Sequence, residues 1–482
     1  MTEPLVREEL FIGGEWKTAR GRAVHPVVNP ADGTPLGDFP IASADDVDAA
    51  VAAAGRAFLD WRRSTPADRA RHLLALADEM DGDLETLVAL ESRNVGKPRR
   101  NARAEIGFAI DLLRFCAGAA RTMESSAAGE YVRGQTSIVR RDPLGVLAQI
   151  APWNYPMVML AYKLGPALAT GNVTVFKPAE QTPLSTLRVA ELAAGILPPG
   201  TFNVLTGDGT TGSALVRHAD VRMVSLTGDS ATGRTVAREA ADSLKRVHLE
   251  LGGKAPALVF DDADIEHTVA VLRRAAFYNS GQDCTAATRL LVAESIADEL
   301  VDGLVEATRT VRTGDPATDD DLDMGPLVSA EQRDRVRGFV DRLGAGDAKV
   351  AVGGTAPEGA GFFHDPTIVT GVRQHDEIVQ NEVFGPVLTV QTFASEEEAV
   401  ALANGTRYGL AASVWTKDAG RALEVSGLLD CGAVWVNEHD VVTPEMPHGG
   451  TKASGYGKDL SMYSLQDYTL VKHVMINHRR SA

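Results

Sequence analysis

The sequence predicts an α/β protein built on doubly wound, mostly parallel sheets. Three observations carry that expectation. Short apolar runs alternate with segments whose apolar residues recur at helical spacing. The alternation starts again after LELGGK. A chain of 482 residues is also too long for one hydrophobic core, so two or three domains are expected.

The elements follow in order. SADDVDAAVAAAGRAFLDW places Val47, Val51, Ala54, Phe58 and Trp61 on one stripe, with Ser43 as N-cap. VLAQIAP reads as a buried strand, MVMLAYKLGPALATG as a helix closing at Gly171, and NVTVFKP as a strand. A helix from Leu184 to Leu197 stops at PPG, FNVLTG and RMVSLTG are strands, and Ala231 to Leu244 is helical. Past residue 251, APALVF is a strand, IEHTVAVLRRAAF a helix and RLLVAE a strand. VLTVQTF, EEEAVALAN, AASVWTK and GAVWVN continue the rhythm. The acidic run DDDLD, from Asp319, reads as a solvated loop rather than a cation site.

Composition narrows the function. The net charge of -17 argues against nucleic-acid or anionic-membrane surfaces, which need clustered Lys and Arg. Three cysteines, Cys116, Cys284 and Cys431, make no disulfide framework and fit a reducing compartment. MTEPLVREEL has no apolar stretch like a secretory leader. Val146 to Phe176 is broken by Pro152, Asn154, Pro156, Lys163 and Pro166, leaving no run of about 20 apolar residues for a bilayer. The cytoplasm is the expected compartment, and no metal is expected.

Four motifs could carry chemistry. TGDGTTG holds G-x-G-x-x-G at Gly207, Gly209 and Gly212 after a strand, which fits a phosphate loop or a plain Gly-rich turn. SLTGDSATG, with Gly228 and Gly233, opens a helix whose N–H groups could meet phosphate, or whose Asp229 is an ordinary N-cap. Lys177 and Glu180 of VFKPAE stand at a strand's carboxyl end, where α/β sheets bind ligands, though a surface ion pair has the same spacing. Asn154, Glu250 and Cys284 supply an amide for an oxyanion, a base for water and a strong nucleophile. Spacing alone does not bring them together, and a lone cysteine is often a small buried hydrophobe.

Taken together, the residues carry a resemblance. APWNYP, FKPAE, LTGDSATG, ELGGKAP, GQDC, NEVFGPV, YGLAASVWTKD and WVN stand in the order and spacing of the NAD(P)-dependent aldehyde dehydrogenase superfamily. The chain resembles that superfamily over nearly its whole length, including the 34 positions from Glu250 to Cys284. VRMVSLTG, VFDDADIE, GQDCTAA, SVWTKDAGRA, EMPHGGTKASGYGKD and DYTLVKHVM are similar to the bacterial γ-aminobutyraldehyde (aminoaldehyde) dehydrogenases. His448 stands where the wider superfamily usually has Phe.

The resemblance implies a Rossmann-type NAD-binding domain (1–121 and 141–250) and an α/β catalytic domain (251–453). It also implies a small β oligomerisation arm with a C-terminal strand (122–140 and 454–482), and a homodimer or homotetramer. It further implies that Cys284 attacks the aldehyde and that Asn154 with the Cys284 N–H holds the oxyanion. Hydride passes to NAD, and Glu250 activates the water that hydrolyses the thioester. Lys177 and Glu180 would hold the adenosine ribose, and Glu180 favours NAD by repelling a 2′-phosphate. Glu382 would hold the nicotinamide ribose, Phe384 would pack near the nicotinamide, and Leu251 would belong to the cofactor site. Trp153 and the helix after Gly228 would frame the pyrophosphate. In this fold Gly207 and its loop lie beside the adenine end. Asp229 departs from the Ser of many relatives and would repel a pyrophosphate unless it turns to cap its helix.

Substrate class is argued from charge. In this family the residues flanking the nucleophile line the substrate tunnel, so Asp283 should repel an acidic aldehyde and attract a cationic one. At about 5 Å and an effective dielectric near 20, a charge pair is worth roughly 3 kcal/mol before desolvation. The alternative is an Asp283 turned into a hydrogen-bonded loop. Asp111 is a second acid expected near the tunnel mouth, and Tyr155, Tyr278 and Trp435 are candidate aromatic walls for an ammonium. The expected reaction is oxidation of 4-aminobutyraldehyde, or a close ω-aminoaldehyde, by NAD. Betaine aldehyde oxidation is the alternative. A CoA-acylating enzyme is disfavoured by Glu250, and a non-catalytic binding protein by the intact trio.

Overall fold

Two sheets share the chain as the rhythm requires, and their parallel strands bring the candidate residues to one edge. The structure, a computed structural model, describes residues 9–125, 128–343 and 346–479. Residues 1–8, on which the expected absence of a leader partly rests, lie outside the described residues, as do 126–127 and 480–482 of the expected arm.

The first sheet orders its strands Glu15–Lys17, Leu10–Ile12, Phe202–Val204, Val173–Lys177, Val146–Ile150, Val221–Gly228, Arg246–Leu251 and Gly455–Tyr456. The five from Phe202–Val204 to Arg246–Leu251 run parallel, and the outer strands are antiparallel. Val146–Ile150 and Val173–Lys177 are buried at every position, and the polar Gln149 and Thr174 within them bond to each other. Ala44–Trp61 starts where expected, with Ser43 and Asp46 forming a capping box. Pro156–Ala169 is buried along its whole length.

The second sheet orders Lys349–Val352, Thr367–Thr370, Val387–Phe393, Arg289–Ala293, Pro256–Val259, Ala411–Trp415 and Ala433–Val436. All neighbours are parallel except the first pair. Ile265–Phe277 forms as read, whereas the helix from Leu184 ends at Ala193. The four residues before Pro198 are a turn, because a proline biases its predecessors away from the helix.

A third sheet joins Thr469–Asn477, Gln135–Pro143 and Gly129–Val132. Only this last part of 454–482 lies in an arm. Gly455–Tyr456 pairs with Leu249 and Glu250 at the edge of the first sheet. Leu465, in the helix Ser461–Asp467, joins the first sheet's apolar core. The acidic run from Asp319 is a loop tied by arginines, with Asp319 and Asp321 on Arg312 and Asp323 on Arg100 and Arg273. Among the described residues no helix is long and apolar enough to cross a membrane.

Candidate active site

The registers set Ile150 beside Lys177, Leu226 beside Ile150, and Thr227 beside Glu250. These carboxyl ends border a cavity of about 700 Å³ that reaches from Glu180 to Cys284. That volume lies within the ~300–1,000 Å³ usual for ligand and cofactor sites.

Asn154 follows the strand Val146–Ile150. Its backbone carbonyl accepts from Lys97 Nζ and from Asn279 Nδ2, each at 2.9 Å. Its own Nδ2 donates to the Gln282 carbonyl at 3.0 Å, which leaves one amide hydrogen for another acceptor. Glu250 ends the strand Arg246–Leu251, is buried, and has neither carboxylate oxygen in a hydrogen bond. His448 Nε2 lies 3.6 Å from Glu250 Oε1. One ligand atom each from Glu250, Cys284 and His448 lies within 4.8 Å of the others. Burial pushes the Cys284 thiol well above its ordinary range, and the Glu250 and Asp283 carboxylates add to the effect. The three residues that spacing could not join line one cavity.

The loop to Cys284 is built on left-handed backbone at Asn279 (φ 49°), Ser280 (φ 58°) and Gly281 (φ 67°). A Cβ on Gly281 would meet the Gly385 carbonyl oxygen at 2.3 Å. The turn packs the nucleophile's loop directly on the loop carrying Glu382 and Phe384.

At the other end, Lys177 Nζ donates to the Gly207 carbonyl at 2.6 Å and to Glu180 Oε2 at 3.3 Å. Gly207 lies below the cavity wall, while Gly209 and Gly212 line it. Asp229 turns into its own helix. Its Oδ1 accepts from the Ala231 and Thr232 N–H groups, and its Oδ2 from the Thr232 hydroxyl. Burial opposes its ionisation, but these donors hold its carboxyl below the usual range. The carboxylate thus caps its helix while still lining the cavity, and it takes two N–H groups expected to face the pyrophosphate. Arg335, which spacing did not single out, lines the cavity and donates to the Glu382 carbonyl at 2.6 Å. Trp153 and Phe384 meet edge to face at 5.2 Å, and Phe384 takes φ 60°. Glu382 Oε1 accepts from the Gly253 N–H at 2.8 Å, and burial pushes its carboxyl up to about 7. The Leu251 side chain packs against Gly233, between Glu250 and Gly252, which line the cavity.

On the substrate side several expectations change. Asp283 is buried and engaged: Oδ1 accepts from the Thr285 N–H at 2.6 Å and hydroxyl at 2.7 Å, and Oδ2 from the Tyr155 hydroxyl. Tyr155 is no open wall, because Lys97 Nζ already covers its ring at 4.5 Å. Trp435 spends its indole N–H on the Val441 carbonyl and stacks on His439 at 5.0 Å. Tyr278 is half-buried and donates to Glu105 at 3.1 Å. Asp111 is exposed on the helix Arg99–Thr122, one turn past Phe108. Phe108, Tyr162 and His448 form a chain of aromatic contacts at 6.3 and 6.1 Å that leads to Glu250. Asp440, absent from the motif reading, accepts from the Thr285 hydroxyl at 2.9 Å. Burial, then Asp283, pushes its carboxyl well up.

The pattern of the aldehyde dehydrogenase family matches residues 16–474. An aldehyde dehydrogenase of Aspergillus niger is 42% identical over 96% of this chain and 94% of its own length. The betaine aldehyde dehydrogenase of Bacillus subtilis is 38% identical over 98% of both chains. The crystal structure of Staphylococcus aureus betaine aldehyde dehydrogenase in complex with NAD+ superposes with a TM-score of 0.96. It is 35% identical, over 99% of this chain and 96% of that one.

Proposed function

The chain belongs to the aldehyde dehydrogenase family, and within it we propose an enzyme that oxidises ω-aminoaldehydes, 4-aminobutyraldehyde first among them. NAD is the cofactor, as in the related crystal structure. The cavity fits it. It offers the Lys177–Glu180 pair at one end and Cys284 at the other, and a Cβ on Gly252 would come 2.2 Å from Glu382 Oε2.

Bound NAD accepts the hydride. The chain's residues do the rest. Glu250 or another base takes the Cys284 proton, and the thiolate attacks the aldehyde carbon. The free Asn154 amide hydrogen and the Cys284 N–H stabilise the oxyanion. After hydride loss the thioester is hydrolysed by water that Glu250 activates. Lys177 and Glu180 hold the adenosine ribose, and Glu382 the other ribose. We assign 1–121 and 141–250 mainly to cofactor binding and 251–453 to catalysis, and place the enzyme in the cytoplasm. Strand Thr469–Asn477 ends its sheet with Leu470, Val471, Met475 and Ile476 exposed, which supports assembly into dimers or tetramers.

One observation carries the substrate class. Asp283 and Asp440 both lie on the Thr285 hydroxyl, at 2.7 and 2.9 Å. One hydroxyl hydrogen serves one carboxylate, so the other must hold a proton or meet a cation. Burial and Asp283 favour the proton on Asp440 in the free enzyme; an ammonium with N–H donors beside the pair would replace it as the neutralising partner. A quaternary ammonium has no such donors and would rely on aromatic faces, of which that of Tyr155 is already covered by Lys97. Betaine aldehyde is the second reading, supported by the names of the Bacillus subtilis and Staphylococcus aureus relatives.

The test is a panel of 4-aminobutyraldehyde, 3-aminopropionaldehyde, betaine aldehyde and succinic semialdehyde with NAD and no CoA. The aminoaldehydes are expected to give the highest kcat/KM. Succinic semialdehyde in first place sinks the charge argument, and betaine aldehyde in first place selects the second reading.

A further inference from the structure

We infer that Glu250, Cys284 and His448 form a three-ligand site for a thiophilic divalent cation, zinc above all, and that its occupancy reversibly silences the enzyme. The three side chains come from separate parts of the chain: a strand end, the nucleophile's loop and the segment after Pro447. Their ligand atoms nevertheless lie within 4.8 Å of one another. His448 Nε2 and Glu250 Oε1, at 3.6 Å, stand close to the ~3.4 Å separation that tetrahedral bonds of about 2.1 Å require. A small inward movement of Sγ completes the set.

A second observation points to a ligand. Both Glu250 oxygens are buried with no hydrogen-bond donor. A desolvated carboxylate without a donor is unfavourable, and a cation on it removes the penalty. His448 is held for the task. Its backbone N–H and carbonyl are both paired with Asp459, at 2.9 and 2.7 Å, and its ring meets Tyr162. The cavity that Glu250 and Cys284 line leaves a fourth position open to water. Thiolate, imidazole and carboxylate together suit zinc or cobalt, whereas magnesium and calcium demand six or more oxygen ligands.

Binding breaks the S–H bond of Cys284 and forms an S–metal bond. The proton leaves to solvent and no electron is transferred. The nucleophile and the general base are then both coordinated, so neither attack nor water activation can proceed. The same bond masks the thiol from alkylation.

Cobalt(II) is the probe. Anaerobic titration of the whole enzyme should saturate at one equivalent per chain. It should produce a thiolate-to-cobalt charge-transfer band and the intense visible bands of a tetrahedral ion. Both should vanish in Cys284→Ser, and His448→Phe should bind at least about tenfold more weakly. His448→Gln is the second variant should the first not fold. Zinc should also stop iodoacetamide alkylation of Cys284, read by peptide mass, and EDTA should restore both alkylation and activity. Bands that persist in Cys284→Ser, His448 variants that bind as tightly as the parent, or unaltered alkylation under zinc would each overturn the assignment.

Discussion

Lys97 Nζ donates to the backbone carbonyl of Asn154 at 2.9 Å from a fully buried position between Glu91 and Glu105. Asn154, the proposed oxyanion donor, is thus anchored through its own main chain by a lysine 57 positions away. Removing that ammonium leaves two buried carboxyls without their cation. Lys97→Met should destabilise the enzyme by about 3–5 kcal/mol in denaturant unfolding. It should also lower kcat at temperatures where the variant is folded. Full kcat in the folded variant would show that Asn154 needs no anchor.

Asp283 and Asp440 share one hydroxyl, so replacing either should act on charge recognition. Asp440→Asn or Asp283→Asn is expected to lower kcat/KM for 4-aminobutyraldehyde by about 10- to 100-fold, within the roughly 3 kcal/mol of a charge pair at 5 Å. Butyraldehyde, which has no charge, is the control and should change far less. Equal losses on both aldehydes would mean that the pair only supports the loop.

The catalytic trio makes three distinguishable variants. Asn154→Ala should cost about 10²–10³ in kcat, as removal of one oxyanion donor does. Cys284→Ala should abolish turnover. Glu250→Gln should still release about one equivalent of NADH per active site in a burst, then slow sharply as the thioester accumulates. A slow first turnover without a burst would give Glu250 its main role before the thioester.

Glu180 accepts from Lys177 at the rim of the cavity. Glu180→Ala should raise the NADP-to-NAD ratio of kcat/KM by about tenfold, because a carboxylate there repels a 2′-phosphate. An unchanged ratio would place cofactor discrimination elsewhere.

His248 is buried beside Asp459 and Asp467, at 3.2 and 3.3 Å. Burial alone would lower its pKa, but the two carboxylates outweigh it and raise the pKa to about 9 from the ordinary 6.5. A folded-state value above the unfolded one means that stability is fully present below pH 6.5 and lost as pH rises through 9. Up to about 3 kcal/mol is expected over that window, read as falling thermal stability. His248→Gln should flatten the slope between pH 6.5 and 9.

The strands and helices were legible because burial leaves a period in the sequence. Val146–Ile150 is apolar but for Gln149 since both its faces are covered, and Ser43 marks a helix start by its side-chain oxygen. The trio was singled out by its motifs, and Asn154, Glu250 and Cys284 line one cavity. The cap by Asp229 and the turn of Asp283 onto Thr285 were each one of two open readings, which local pattern alone did not decide; the covered face of Tyr155 was not legible, because it depends on Lys97, far away in the chain. The anchoring of Asn154 by Lys97 likewise joins segments with no shared period.

By itself, then, the sequence determined the α/β architecture, through residue type and local spacing, and singled out Cys284, Glu250 and Asn154 as candidates through the motifs that hold them. Only the tertiary structure decided which acids are free to meet a substrate. It set Asp440 against Asp283 across one hydroxyl and left the Glu250 carboxylate without a hydrogen bond, 3.6 Å from His448 Nε2. A buried charge takes its meaning from what surrounds it in space, and that is fixed by packing between distant segments rather than by neighbours along the chain.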